Sequence, residues 1–116
     1  MIYLDNAATT LMKPHTVAEA MNRWITSYSA NPGRGGHKMS IHAGNMVYEC
    51  RELIARLFNI KRPENIIFTL NTTMALNIAI KGFLKPNSHV VISGMEHNSV
   101  YRPVTNIGCS YTIAKP

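Results

Sequence analysis

The sequence predicts an α/β fold, with N-terminal helices followed by the start of a mainly parallel sheet. Two observations carry this. Ile66-Ile67-Phe68-Thr69 and Val90-Val91-Ile92-Ser93 are short, continuous apolar runs, as expected of strands buried on both faces. Between them, Thr72 to Lys81 has helical character. The order strand, helix, strand describes a βαβ unit with parallel strands and a right-handed crossover.

The elements follow in order. Tyr3 to Thr10 is short and ends in small polar residues, which suggests an extended arm. Thr16 and Glu19 have the T-x-x-E spacing of a capping box, so the first helix is expected to begin at Thr16. Val17, Met21, Trp24, Ile25 and Tyr28 recur at helical spacing and should face a core. Asn31-Pro32-Gly33 ends that helix, and a loop continues through Arg34-Gly35-Gly36-His37. A second helix is expected from about Ser40 to Phe58, its apolar stripe formed by Val47, Cys50, Ile54, Leu57 and Phe58. Pro63-Glu64 separates it from the first strand. Gly82 is the expected C-cap of the next helix, and Pro86-Asn87-Ser88 makes a turn. Beyond the second strand, residues 101–108 read as less regular, and Tyr111 to Ala114 is a candidate third strand. The chain stops at Lys115-Pro116, just after that strand, with an edge and a face uncovered; this suggests a truncated domain.

Composition narrows the function classes. With 46% apolar residues in 116, the chain is that of an ordinary folded protein. The formal charge is +6, from 12 Lys and Arg against 6 Asp and Glu. The basic residues are scattered and form no patch, so nucleic-acid binding is not expected; a mildly basic surface attracts small anions. Cys50 and Cys109 are too few for a disulfide framework. Cys50, on the helix stripe, reads as a buried packing residue, and Cys109 has no adjacent His or Lys to activate it. The five histidines lack metal-ligand spacing, so no metal site is expected. No stretch approaches a membrane span and no signal peptide is visible, so the expected location is the cytoplasm.

Three loops could carry chemistry. Phe68-Thr69-Leu70-Asn71-Thr72-Thr73 ends a strand and begins a helix. Free amides and the positive dipole end of a helix hold phosphate, and Asn71, Thr72 and Thr73 can add donors. The same residues also make an ordinary N-cap. Gly94-Met95-Glu96-His97-Asn98-Ser99 follows the next strand, at the sheet edge where parallel folds bind ligands. His97 could stack on a flat ring, act as acid or base, or simply bond to solvent. In Asn31 to His37, glycines present Arg34 and His37; Arg34 could clamp an anion, or the loop could be plain surface. Asn6, Ala7, Ala8 and Thr9 are small enough to let a ligand approach the backbone.

In this order the segments resemble the class V aminotransferases, and especially the cysteine desulfurases. The resemblance rests on Tyr3-Leu4-Asp5-Asn6-Ala7-Ala8-Thr9-Thr10, Asn31-Pro32-Gly33-Arg34-Gly35-Gly36-His37, Ile67-Phe68-Thr69 with Asn71-Thr72-Thr73, and Met95-Glu96-His97-Asn98-Ser99 with Arg102-Pro103. It covers nearly the whole chain. It implies part of the large domain of a fold-type I pyridoxal-phosphate enzyme, with residues 1–30 as arm and first helix and 31–116 as the truncated start of the cofactor-binding domain. It implies pyridoxal 5'-phosphate as cofactor, its phosphate held by Asn71, Thr72 and Thr73, and its ring stacked on His97, which would also serve catalysis. Asn6, Ala7, Ala8, Thr9, Arg34 and His37 would line the substrate site or its entrance. The implied reaction converts L-cysteine to L-alanine and passes the sulfur to an enzyme cysteine, in a homodimer that hands it to an acceptor protein.

The sequence departs from that pattern in several places. The Schiff-base lysine, the aspartate at the pyridine nitrogen and the sulfur-accepting cysteine all lie beyond position 116 in relatives. Lys81, Lys85, Cys50 and Cys109 do not match them. The chain by itself is therefore expected to be inactive. Asn71 stands where glycine or alanine is usual, and Met74 where glutamate is often found. Another class V transferase or lyase, such as a selenocysteine lyase, and a non-catalytic module binding phosphate ligands or a partner are the alternatives.

Overall fold

The computed structural model describes residues 2–115. The chain divides into two compact units, one up to Ile66 and one from Ile67 onward. In the first unit, Pro14 (φ −54°, ψ 137°) leads into helix α1, His15–Arg23. The helix starts one residue earlier than the Thr16 capping box predicts, and no side chain caps it. Pro14 has its φ pre-set for helix entry, so Thr16 falls inside the first turn. Glu19 instead lies 3.9 Å from His15 Nε2, both exposed. The helix then widens into a π turn over Trp24–Tyr28. Of the expected apolar face, Trp24 and Tyr28 are half-buried, while Val17, Met21 and Ile25 are exposed.

Helix α2, Lys38–Leu57, is capped by His37, whose Nδ1 accepts the Ser40 amide at 3.3 Å. It is covered in two places. Near its start Ser40 Oγ donates to Asn31 O at 2.9 Å, and near its end it meets the short 3-10 turn Pro63–Asn65. Ser40, Ala43 and Ala55 are its buried residues. Cys50 lies between the two covered stretches and is exposed, as are Leu57 and Phe58, so the expected stripe packs only through Val47 and Ile54.

The second unit begins with a further difference. Residues 66–69 form no strand, because no described segment supplies a ladder to them. Ile67 and Leu70 are 76% and 90% exposed. Helix α3, Thr72–Phe83, follows, and Asn71 is its N-cap. Gly82 falls inside α3; the helix ends at Leu84 (φ −79°, ψ 143°), two residues before Pro86.

Strand β1, His89–Ser93, pairs in parallel with β2, Ser110–Ala114, in the register Val90 to Tyr111 and Ile92 to Ile113. The expected third strand is thus the second one. Helix α4, Asn98–Ile107, connects them, so the parallel βαβ unit is β1-α4-β2 rather than one running through α3. Residues 101–107, read as less regular, continue the helix through Pro103, and Gly108 closes it in the left-handed region at φ 75°. Ile92, Val104 and Cys109 form the core, flanked by Ile80, Leu84, Val90, Val100 and Ile107. Helices cover only one side: Ile92 is 5% exposed but its neighbour Val91 is 64% exposed, so β1 is not buried on both faces. Among the described residues no helix is long and apolar enough to cross a membrane.

Candidate functional site

The second unit holds a cleft of about 320 Å³ between α3 and α4. Thr73 and Asn77 line one wall; His97, Asn98, Arg102 and Asn106 line the other. The spacing explains the walls. Residues four apart on a helix share a face, so Thr73 and Asn77 form one polar stripe and Asn98, Arg102 and Asn106 another. The opposite side of α4 carries Val100, Val104 and Ile107 toward the core, which turns the polar stripe outward, and buried Pro103 lines the cleft beside Arg102.

Each helix presents its N-terminus to this cleft, through Thr73 at the start of α3 and through His97 and Asn98 at the start of α4. Asn71 holds an extended conformation, and its Oδ1 accepts the Met74 amide at 2.9 Å. Its backbone oxygen accepts the Ala75 amide at 3.1 Å. The amides of Thr72 and Thr73 are the remaining donors of the first turn and have no intrahelical acceptor. Asn77 Nδ2 donates to Thr73 O at 2.9 Å, which ties the two lining residues together.

His97 is not a free loop side chain. It is the N-cap of α4, with Nδ1 accepting the Ser99 amide at 3.1 Å and lying 2.8 Å from Ser99 Oγ. For Nδ1 to accept, the neutral ring carries its proton on Nε2. Ser99 is itself buried, so the ring is held by a well-packed partner. No carboxylate lines the cleft, and Arg102 is its one permanently cationic wall residue.

The remaining residues singled out from sequence belong to the first unit. Asn6, Ala7 and Ala8 form a turn, not an extended arm, closed by the Ala8 and Thr9 amides on Asp5 O at 3.2 and 3.3 Å. Tyr3 Oη clasps it, donating to Thr9 O at 2.7 Å. In the Asn31 to His37 loop, Asn31 Oδ1 accepts the Gly33 amide at 2.8 Å and Gly35 takes φ 134°, a shape only glycine adopts readily. His37 spends Nδ1 on the cap of α2. Arg34 is exposed. Sequence reasoning missed Asn77 and Asn106 as site residues, and met Asn98 and Arg102 only within motifs. The four-residue spacing of Asn98, Arg102 and Asn106 was the available signal, hidden once α4 was read as irregular.

The family described as aminotransferase class-V matches residues 2–115. The chain belongs to the class-V aminotransferases. A probable cysteine desulfurase of Borreliella burgdorferi is 34% identical over 112 residues, covering 92% of this class-V chain and 26% of the relative. A probable cysteine desulfurase of Methanothermobacter thermautotrophicus is 37% identical over 103 residues, covering 88% and 25%. The chain thus spans about a quarter of the length of these curated relatives. A solved NifS-like protein superposes with a TM-score of 0.78 at 24% identity, over 93% of this chain and 31% of that one, a likeness of fold. The fold is accordingly part of the fold-type I α/β architecture.

Proposed function

We propose that this chain is the N-terminal part of a pyridoxal-phosphate-dependent cysteine desulfurase, and that the α3–α4 cleft is its contribution to the cofactor site. The observation that carries this is the placement of Thr73 and His97 on facing walls of one cleft. The residues fit such a cofactor. A phosphate needs donors, which the Thr72 and Thr73 amides and the Thr73 hydroxyl supply at a positive helix end. A flat ring needs a flat partner, and the His97 imidazole is held in one orientation by Ser99. The volume falls at the lower end of the roughly 300–1,000 Å³ usual for ligand sites.

When bound, the cofactor supplies an electron sink for chemistry at the amino-acid substrate. The residues of this chain bind and orient it. Asn71 organises the first turn of α3, Thr72 and Thr73 hold the anionic group, and His97 faces the ring. Asn6, Ala7, Ala8 and Thr9, with Arg34 and His37, are the substrate-side residues in this reading. In the parent reaction the C–S bond of L-cysteine breaks, a proton replaces sulfur on carbon to give L-alanine, and the sulfur joins a cysteine thiol as a persulfide. The parent protein acts as a cytoplasmic homodimer that passes this sulfur to an acceptor protein. In this reading Lys81, Lys85, Cys50 and Cys109 do not fill the lysine and cysteine roles that such a reaction requires, so the chain alone does not turn over L-cysteine.

Titration calorimetry with pyridoxal 5'-phosphate tests the site. Thr73→Ala and His97→Ala are each expected to weaken binding by about tenfold, the effect of removing one hydrogen bond to a charged group or one stacking partner. Equal binding by the unaltered chain and both variants would overturn the assignment. Release of L-alanine from L-cysteine by the chain with added cofactor would overturn its inactivity.

A further inference from the structure

We propose that Arg102 is a specificity-determining residue of the cleft, which makes it select a phosphorylated ring ligand over the same ring without phosphate. The inference rests on the cofactor-site reading above and adds a residue to it. The first reason is a shortage of donors at the start of α3. A phosphate monoester at neutral pH carries close to two negative charges and three strongly accepting oxygens. Of the first-turn amides, Met74 is already bonded to Asn71 Oδ1 and Ala75 to Asn71 O. Two amides and one hydroxyl remain, all neutral.

The second reason is charge. Arg102 lies one helical turn beyond Asn98 on the wall facing Thr73, and no Lys or other Arg shares the lining. It forms no ion pair among the described residues, whose side-chain bridges are His15–Glu19 and Arg62–Glu64. Glu96, the one acid between Ile67 and Lys115, is not on the lining. The guanidinium is therefore uncommitted in a cleft that two helix N-termini already make positive. A planar fork of donors matches phosphate geometry.

The third reason is shape. Pro103 and Val104, the next residues on α4, are buried, which holds the backbone that carries Arg102, and Thr105 Oγ1 donates to Arg102 O at 3.0 Å. The stem thus emerges from a fixed turn of helix, although the head is exposed.

The test measures binding without covalent chemistry. Equilibrium dialysis of the full chain compares 4-deoxypyridoxine 5'-phosphate with 4-deoxypyridoxine, neither of which can condense with a lysine. The unaltered chain is expected to prefer the phosphorylated ligand. Arg102→Gln should cut that preference by about three- to tenfold, as befits an exposed charged hydrogen bond. Arg102→Lys should restore part of it, and raised salt should erode the preference in the unaltered chain more than in Arg102→Gln. Far-ultraviolet circular dichroism checks that the variants fold. An unchanged preference in Arg102→Gln, with Thr73→Ala still weakening the phosphorylated ligand, overturns the role of Arg102 and leaves the cofactor site standing. No binding of either ligand to the unaltered chain overturns both.

Discussion

Replacing Asn71 by alanine isolates the bond that organises the start of α3. Alanine keeps the backbone oxygen that accepts the Ala75 amide at 3.1 Å and removes only the Oδ1 bond to Met74 N at 2.9 Å. Loss of such a cap costs about 0.5–2 kcal/mol. Asn71 is exposed and Met74 is 43% exposed, so the freed amide returns to water rather than to hydrocarbon. The cost should therefore lie near 0.5–1 kcal/mol, a factor of about two to five in the local opening equilibrium. Amide hydrogen exchange followed by NMR reads this residue by residue. The Met74 amide is expected to exchange about two- to fivefold faster in Asn71→Ala, and Asn71→Ser should restore protection, since serine caps about as well. Thr72 and Thr73 amides should exchange freely in both proteins and become protected when pyridoxal 5'-phosphate is added. Unchanged Met74 exchange in Asn71→Ala would refute the cap and, with it, the donor shortage that gives Arg102 its role.

Further outcomes follow from the same geometry. Val104→Ala removes two methyl groups from a side chain only 1% exposed and should destabilise the second unit by about 2 kcal/mol, read as a lower urea midpoint. Gly108→Ala meets no atom within 4 Å but is forced to φ 75°, and should cost about 1 kcal/mol through backbone strain alone. Ser99→Ala removes the 2.8 Å hydroxyl partner of the His97 ring, leaving only the 3.1 Å backbone amide, and should weaken pyridoxal 5'-phosphate binding a few-fold in calorimetry. The Tyr111 phenol is held above its ordinary 10.0 by its contact with Tyr101 Oη, 3.4 Å away. Because the folded-state value is the raised one, that contribution to stability is present below pH 10 and is lost as pH rises through the folded value. Ultraviolet difference titration should place Tyr111 nearer 10.0 in Tyr101→Phe.

The sequence is most legible where one local rule decides the outcome. The α3 start could be read from Asn71-Thr72-Thr73 because capping depends on neighbours three residues apart. The β2 strand, expected at Tyr111 to Ala114, lies at Ser110–Ala114. Legibility failed where the outcome depends on residues distant in sequence. Ile66 to Thr69 has a strand's composition, but a strand exists only when another segment pairs with it, and none of the described residues does so. Cys50 has the spacing of a core residue; whether it is covered depends on where the Pro63–Asn65 turn and the 24–32 segment meet α2.

Pro103 hid more of the site than any other residue. Proline inside a helix removes a hydrogen bond and costs roughly 3 kcal/mol, so a local reading ends the helix before it. The structure carries the helix through because Val104 is buried against Ile92 and Cys109, with Val100 and Ile107 half-buried beside it, and Pro103 is itself buried. The spacing Val100, Pro103, Val104, Ile107 is that of an amphipathic helix once the proline is counted as apolar. Accepting α4 changes the functional reading as well, since its far side then becomes the stripe Asn98, Arg102, Asn106. A loop would have scattered those side chains; a helix aims them together at Thr73. The buried proline and the exposed arginine are therefore one arrangement, in which core packing on one face of α4 decides what the other face can bind.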